Sequence, residues 1–182
     1  MLFNSYEFLF FLLPIVLAGY YLLLPKGWRH GWLALGSYVF YGWWDYRFCG
    51  LLLLTTTIDY IAGGRIAVAA TPTAKKRWLA LSVVADLSIL GFFKYYDLGA
   101  ETANAIAQWL GAASGVVPLL HLVLPVGISF YTFQSMSYSI DIYRGHARPA
   151  RSWIDYACYV SLFPQLVAGP IVRYHELDNQ LR

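Results

Sequence analysis

Leu122-Val-Leu-Pro-Val-Gly-Ile-Ser-Phe-Tyr-Thr-Phe-Gln-Ser-Met-Ser-Tyr-Ser-Ile-Asp141 is long enough to cross a membrane, yet it is rich in polar side chains. It opens on Pro125 and Gly127 and carries hydroxyls, the Gln134 amide and finally the Asp141 carboxylate. Hydrocarbon offers such groups no partners, so they must face protein or water. On a helix, Tyr131, Gln134, Ser135 and Tyr138 follow i, i+3, i+4, i+7 and share one stripe, flanked by Thr132, Ser139 and Asp141. Val126, Phe130, Phe133, Met136 and Ile140 cover much of the other side. One face suits a polar interior and the other suits lipid or packed helices. Helix packing through shared hydrogen bonds accounts for the serines and threonine. It accounts less well for an amide and two tyrosines, so the stripe is a candidate lining for a polar cavity inside a bilayer.

Around this stretch lie five more apolar runs, at roughly 8–24, 32–44, 48–62, 78–93 and 153–172, with the stretch itself inside a run at 119–140. Charged residues make up only 13% of the chain, against about a quarter in soluble domains, so the composition is that of an integral membrane protein. The formal charge of +3 is too small and scattered for nucleic-acid binding. A crossing helix needs about 20 residues, which the first, fifth and sixth runs meet and the second and third fall short of. Trp and Tyr cluster at the run ends, among them Trp28, Trp43, Trp44 and Tyr46, as in an interfacial aromatic belt. If all six runs cross, Lys26, Arg29, Arg65, Lys75, Lys76, Arg77, Arg144, Arg148 and Arg151 fall on one side, and the opposite loops hold only Arg47, Lys94, Arg173 and Arg182. The positive-inside rule then places the N-terminus outside. No basic residue precedes the first run, so it reads as a retained span and not as a cleaved signal. Residues 97–117 read equally as an amphipathic surface helix or a connecting loop.

Other polar groups sit at membrane depth. Asp59 and Asp86 lie within runs, with Thr55 and Gly63 on the Asp59 face and Ser82 one turn before Asp86. Helix–helix hydrogen bonds, or an ion pair such as Asp86 with Lys94, are the favoured reading over a proton or substrate contact. The sixth run carries Pro164, Gln165, Gly169 and Pro170, which predict a broken helix, with Arg173 positioned to bind an anionic group or to anchor in the interface. His30 and His146 lie in basic loops and read as solvated, and no histidines or cysteines share metal-ligand spacing, so no metal site is expected.

Two long motifs now carry a resemblance. Leu124-Pro-Val-Gly-Ile-Ser-Phe-Tyr-Thr-Phe-Gln-Ser-Met-Ser-Tyr-Ser-Ile-Asp-Ile-Tyr-Arg-Gly145 and Phe163-Pro-Gln-Leu-Val-Ala-Gly-Pro-Ile-Val-Arg173 resemble the membrane-bound O-acyltransferase family. Met1-Leu-Phe-Asn-Ser, Ser37-Tyr-Val-Phe-Tyr-Gly-Trp-Trp and Gly91-Phe-Phe-Lys-Tyr are similar to the N-terminal region of its alginate O-acetyltransferase branch. The resemblance implies an all-α polytopic fold of about six membrane helices, some short or broken, with residues 1–182 forming the N-terminal part of one membrane domain around a funnel. It implies acetyl transfer to exopolysaccharide hydroxyls at a bacterial inner membrane, with acetyl-coenzyme A or an acyl carrier as donor substrate, no permanently bound cofactor, and polysaccharide-modifying partner proteins. Tyr131, Gln134, Ser135, Tyr138, Asp141 and Gln165 become the expected funnel lining, and Arg173 the expected contact for an anionic group. The family's catalytic histidine lies in a later segment, beyond Arg182, so no residue here takes that role and the expectation is that this chain is inactive alone. A polytopic transporter or export subunit suits broken polar helices as well, and a non-catalytic scaffold is the third reading.

Overall fold

The computed structural model describes residues 3–111, 115–168 and 174–177. Those residues are mostly helical, with no strand among them. Helix α1 spans Phe8–Leu23 and is π-wound at both ends. There follow α2 (Arg29–Gly42), α3 (Arg47–Val68), α4 (Pro72–Trp109), α5 (Ile128–Arg144), α6 (Trp153–Ser161), α7 (Phe163–Ala168) and α8 (Tyr174–Leu177).

Local chemistry explains the boundaries. Helix α4 starts where Thr71 Oγ1 accepts the Ala74 N–H and Pro72 occupies the first turn, where its missing N–H costs nothing. Helix α5 starts after Gly127, whose φ of 76° favours glycine. A side chain there would also run into the Leu166 carbonyl of α7, so the two long motifs meet at this point. Helix α5 ends in a Schellman turn at Gly145, with the His146 N–H returning to the Asp141 carbonyl. Ser152 caps α6 by accepting the Asp155 N–H.

Helices α3 and α4 are each long and apolar enough to cross a membrane, and they run antiparallel across a three-residue connection, 69–71. Large apolar side chains cover the outside of the bundle, including Leu22, Leu23, Val84, Leu87, Phe92, Phe130 and Phe133. So much exposed apolar surface marks contact with lipid. The chain is a helical membrane protein.

Several expected boundaries move. The third run extends to a 22-residue helix, because Gly63, Gly64 and Arg65 continue it past the apolar stretch. Residues 97–109 are neither a separate surface helix nor a loop: they prolong α4 to 38 residues, about 57 Å at 1.5 Å per residue. The fifth run is helical only from Ile128, since Pro125 disfavours helix in the residue before it and Gly127 makes a left-handed turn into the helix. The sixth run is interrupted at Leu162, just before Phe163-Pro164; Pro164 then lies in the first turn of α7 instead of breaking a long span. The Phe163 N–H freed there is taken by Ser37 Oγ of α2 at 3.2 Å. His30 is not a solvated loop residue: it opens α2, with Nδ1 2.6 Å from Asp155 Oδ1 of α6.

Candidate functional site

The inner face of α5 is polar and the outer face is apolar. Tyr131, Thr132, Gln134, Ser135, Tyr138, Ser139 and Asp141 are all buried, whereas Phe130 and Phe133 are exposed. This inverts the arrangement of a water-soluble helix and suits one whose outside is lipid. The stripe packs against α3, α4 and α6. As α4 rises from Ser82 toward Asp86, α5 descends, and Ser82 Oγ and Ser139 Oγ come within 2.7 Å.

Ser82 joins three helices. Its hydroxyl donates to Asp59 Oδ1 of α3 at 2.6 Å, which leaves Ser139 as the donor in the other bond. Ser135 and Asp86 are the next polar neighbours of Asp59. Asp59 and Asp86 are 0% and 1% exposed. Among the described residues, neither carboxyl takes part in an ion pair, so Lys94 is not the partner of Asp86; the Lys94 ammonium lies over the ring of Tyr95 instead. The favoured helix–helix hydrogen bond is what Asp59 makes.

A tyrosine cluster closes the adjoining layer. The Tyr138 ring lies 4.2 Å from that of Tyr156 and meets Tyr174 edge-on at 4.7 Å. Tyr174 also meets Tyr159 edge-on at 5.0 Å. The Tyr156 hydroxyl donates to Ser135 Oγ at 3.3 Å, and Gln134 Nε2 donates to the Tyr159 carbonyl at 2.8 Å. Tyr138 Oη accepts the Ala150 N–H. The Tyr138 ring presses on the bare Cα of Gly63, where any side chain would clash.

Of the residues expected to line a funnel, Tyr131, Gln134, Ser135, Tyr138 and Asp141 therefore lie together inside the bundle, and Gln165 lies half-buried on α7. Arg173, the expected anion contact, falls outside the described residues, as do Gly169, Pro170 and Arg182, the residue beyond which the family's catalytic histidine is expected. Neither Ser139's bond to Ser82 nor the roles of Tyr156 and Tyr159 were anticipated from sequence. The two tyrosines stand at i and i+3 in the sixth run, a spacing that was available as a signal. Among the described residues, no three His, Cys, Asp or Glu side chains gather as a metal site.

At the opposite end of α4 a second polar device operates. The chain returns along the helix, with Val117 gripped on both its N–H and its carbonyl by the Asn104 amide at 2.8 Å each. Lower down, Asp97 Oδ1 accepts the N–H groups of Leu120 and His121, and Oδ2 accepts that of Leu122. His121 takes a positive φ of 48° to present its N–H, an uncommon conformation for a residue with a side chain. Partial desolvation pushes the Asp97 carboxyl up. The N–H groups of Leu120, Leu122 and His121 act the other way, and the carboxyl ends below the usual carboxylate range.

No family model and no solved structure matches the chain. It is 45% identical over 181 residues to a probable alginate O-acetylase of Azotobacter vinelandii, covering 99% of this chain and 36% of the relative. A probable alginate O-acetylase of Pseudomonas aeruginosa is likewise 45% identical over 181 residues, with 99% of this chain and 34% of the relative covered. A peptidoglycan O-acetyltransferase of Helicobacter pylori is 33% identical over 214 residues, covering 100% of this chain and 39% of the relative. The chain thus spans about a third of the length of the curated relatives it matches. From end to end it is a relative of bacterial O-acetyltransferases, in agreement with the membrane-bound O-acyltransferase resemblance carried by its motifs.

Proposed function

We propose that the chain builds part of the membrane domain of an O-acetyltransferase that passes acetyl groups to hydroxyls of an alginate-like exopolysaccharide. The observation that carries this reading is the 45% identity to alginate O-acetylases across 99% of the chain. The lower identity to the peptidoglycan O-acetyltransferase, 33%, makes alginate-type acceptors the first choice. In this proposal the acetyl donor, acetyl-coenzyme A or an acyl carrier, is a substrate and not a resident cofactor. The general base that activates the acceptor hydroxyl is supplied by a part of the domain outside these residues, beyond Arg182. Partner proteins carry the acetyl group onward to the polysaccharide.

The membrane is the bacterial inner membrane, with about six crossings and the N-terminus outside. Two features support the orientation. The antiparallel turn between α3 and α4 brings Arg65 next to Lys75, Lys76 and Arg77, and α5, running parallel to α3, brings Arg144 to the same end. Tyr131, Gln134, Ser135, Tyr138, Asp141 and Gln165 are placed in the funnel wall. Their gathering on the polar side of α5 and on α7 supports this, and their close packing makes them the layer that holds the wall in shape. Arg173 is proposed to hold an anionic group of donor or acceptor.

A chimaera tests the reading. Residues 1–182 replace the aligned third of the Azotobacter relative in a strain lacking its own alginate acetylase, and ester-linked acetate on alginate is measured. Acetylation at a level comparable to the parent is expected. A chimaera that inserts in the membrane at normal abundance but leaves alginate bare, or that acetylates peptidoglycan instead, would refute it. Purified residues 1–182 alone are expected to transfer no acetyl.

A further inference from the structure

The interior between α3, α4 and α5 holds more buried oxygen atoms than its hydrogen bonds satisfy. Among the described residues, Asp59 Oδ2, Asp86 Oδ2, Thr56 Oγ1, Tyr131 Oη and Thr132 Oγ1 have no hydrogen-bond partner. The residues that carry them are 0–1% exposed. Such groups are costly to leave unpaired at membrane depth. They are also neighbours. Thr56 stands three residues before Asp59 on the same face of α3, and Asp59 and Asp86 are close electrostatic neighbours. Tyr131 lies within electrostatic reach of Asp86. Two carboxylates this close, with no cationic side chain paired to either among the described residues, repel one another strongly in a low-dielectric interior.

We propose that this cluster of buried oxygens binds a monovalent alkali cation, sodium by its size and hardness, with Asp59 and Asp86 as the charged ligands and the hydroxyls of Thr56 and Tyr131 adding neutral ones. The donor set consists of hard oxygens alone, which suits an s-block ion and not zinc or copper. Two carboxyls and two hydroxyls offer fewer oxygens than the about six to eight that calcium takes, which favours the ion of lower coordination. Ser82 supports the site: it donates to Asp59 Oδ1 and leaves Oδ2 without a protein partner. This inference does not depend on the acetyl-transfer proposal, because it concerns only residues that the bundle itself brings together.

The test uses the full chain in lipid nanodiscs, unfolded by heat in sodium chloride and in choline chloride at equal ionic strength and pH. The unfolding temperature is expected to rise saturably with sodium and to stay flat in choline, since an ion that binds only the folded chain stabilises it. Asp86→Asn is expected to abolish the rise. Thr56→Val keeps the size and removes one neutral ligand, so the half-saturating sodium concentration should increase about fivefold, even if Asp86→Asn fails to fold. Identical curves in sodium and choline would overturn the proposal and leave a pair that shares a proton instead. A sodium response unchanged in Thr56→Val would overturn it as well.

Discussion

Asp86 and Asp97 lie about three turns apart on one helix, α4, and are kept in opposite ways. Asp97, beyond the apolar part of α4, is held by three main-chain N–H groups of the returning segment 120–122. Asp86 and its neighbour Asp59 are surrounded by side-chain hydroxyls, of which Ser82 makes the one short bond to Asp59. The difference follows from the solvent. Within hydrocarbon every main-chain N–H is committed to its own helix, so a carboxyl can be served only by side chains from neighbouring helices. Beyond the apolar zone the chain can leave the helix and offer its main chain directly. The first arrangement has no slack, because each partner is fixed by helix packing. The second is a latch that can open without disturbing the bundle.

The harshest way to break the contrast is to crowd the interior. Gly63 faces the Tyr138 ring, which is pinned by Tyr156, Tyr174 and the Ala150 N–H and cannot retreat. Gly63→Val should destabilise the bundle by about 3 kcal/mol, the upper end of the usual cost of overpacking. Gly64, one residue on, has nothing within 4 Å of the position a Cβ would take, so Gly64→Val should be close to neutral. Unfolding of both variants in the same detergent decides the matter. Equal losses would show that α3 tolerates no β-branched residue here, whatever it faces.

The next effect tests the hydroxyl relay. Ser82→Ala removes the group that donates to Asp59 and accepts from Ser139. Interhelical hydrogen bonds in membranes are worth about 1 kcal/mol, and stranding a buried carboxyl adds to that, so a loss of about 1–2 kcal/mol is expected. Ser88→Ala lies on the same helix outside this relay and is the control. Equal stability of the two variants would mean that Ser82 does not tie the three helices together.

This contrast also sets what was legible beforehand. The polar stripe Tyr131, Gln134, Ser135, Tyr138 could be read because helical periodicity is local, and its burial on one side of α5 follows from membrane solvation. That Asp59 would hydrogen-bond across helices was legible in kind, since a carboxyl at that depth needs a partner. Its partner Ser82 was not, because pairing α3 with α4 and α5 is a long-range packing choice. The Asp97 latch was invisible for a different reason: its donors are main-chain N–H groups, which leave no trace in side-chain identity. Residues 97–109 were equally obscure, since they form helix by continuing α4 and not through an amphipathic pattern strong enough to declare one. The break at Leu162 was signalled by Pro164, but its place was shifted because proline is welcome in a helix's first turn.

The smallest effect belongs to the latch itself. Asp97→Ala should leave bundle stability almost unchanged while speeding hydrogen exchange at the amides of Leu120, His121 and Leu122, which lose their acceptor. His121 should then relax from its left-handed conformation, because nothing compensates for it. The pH dependence has a defined sign. The folded carboxyl sits below the ordinary aspartate value of about 3.9, so the latch is fully formed above that value and is lost as pH falls through the lower folded one. Exchange at these three amides, corrected for its intrinsic pH dependence, should therefore hold steady from neutral pH down to that range and accelerate below it. The amide of Val117 is held by the uncharged Asn104 and should show no such acceleration. If Val117 and Leu120 lost protection together as the pH fell, the returning segment would be releasing as a whole, and the Asp97 carboxylate would not be the element that closes it.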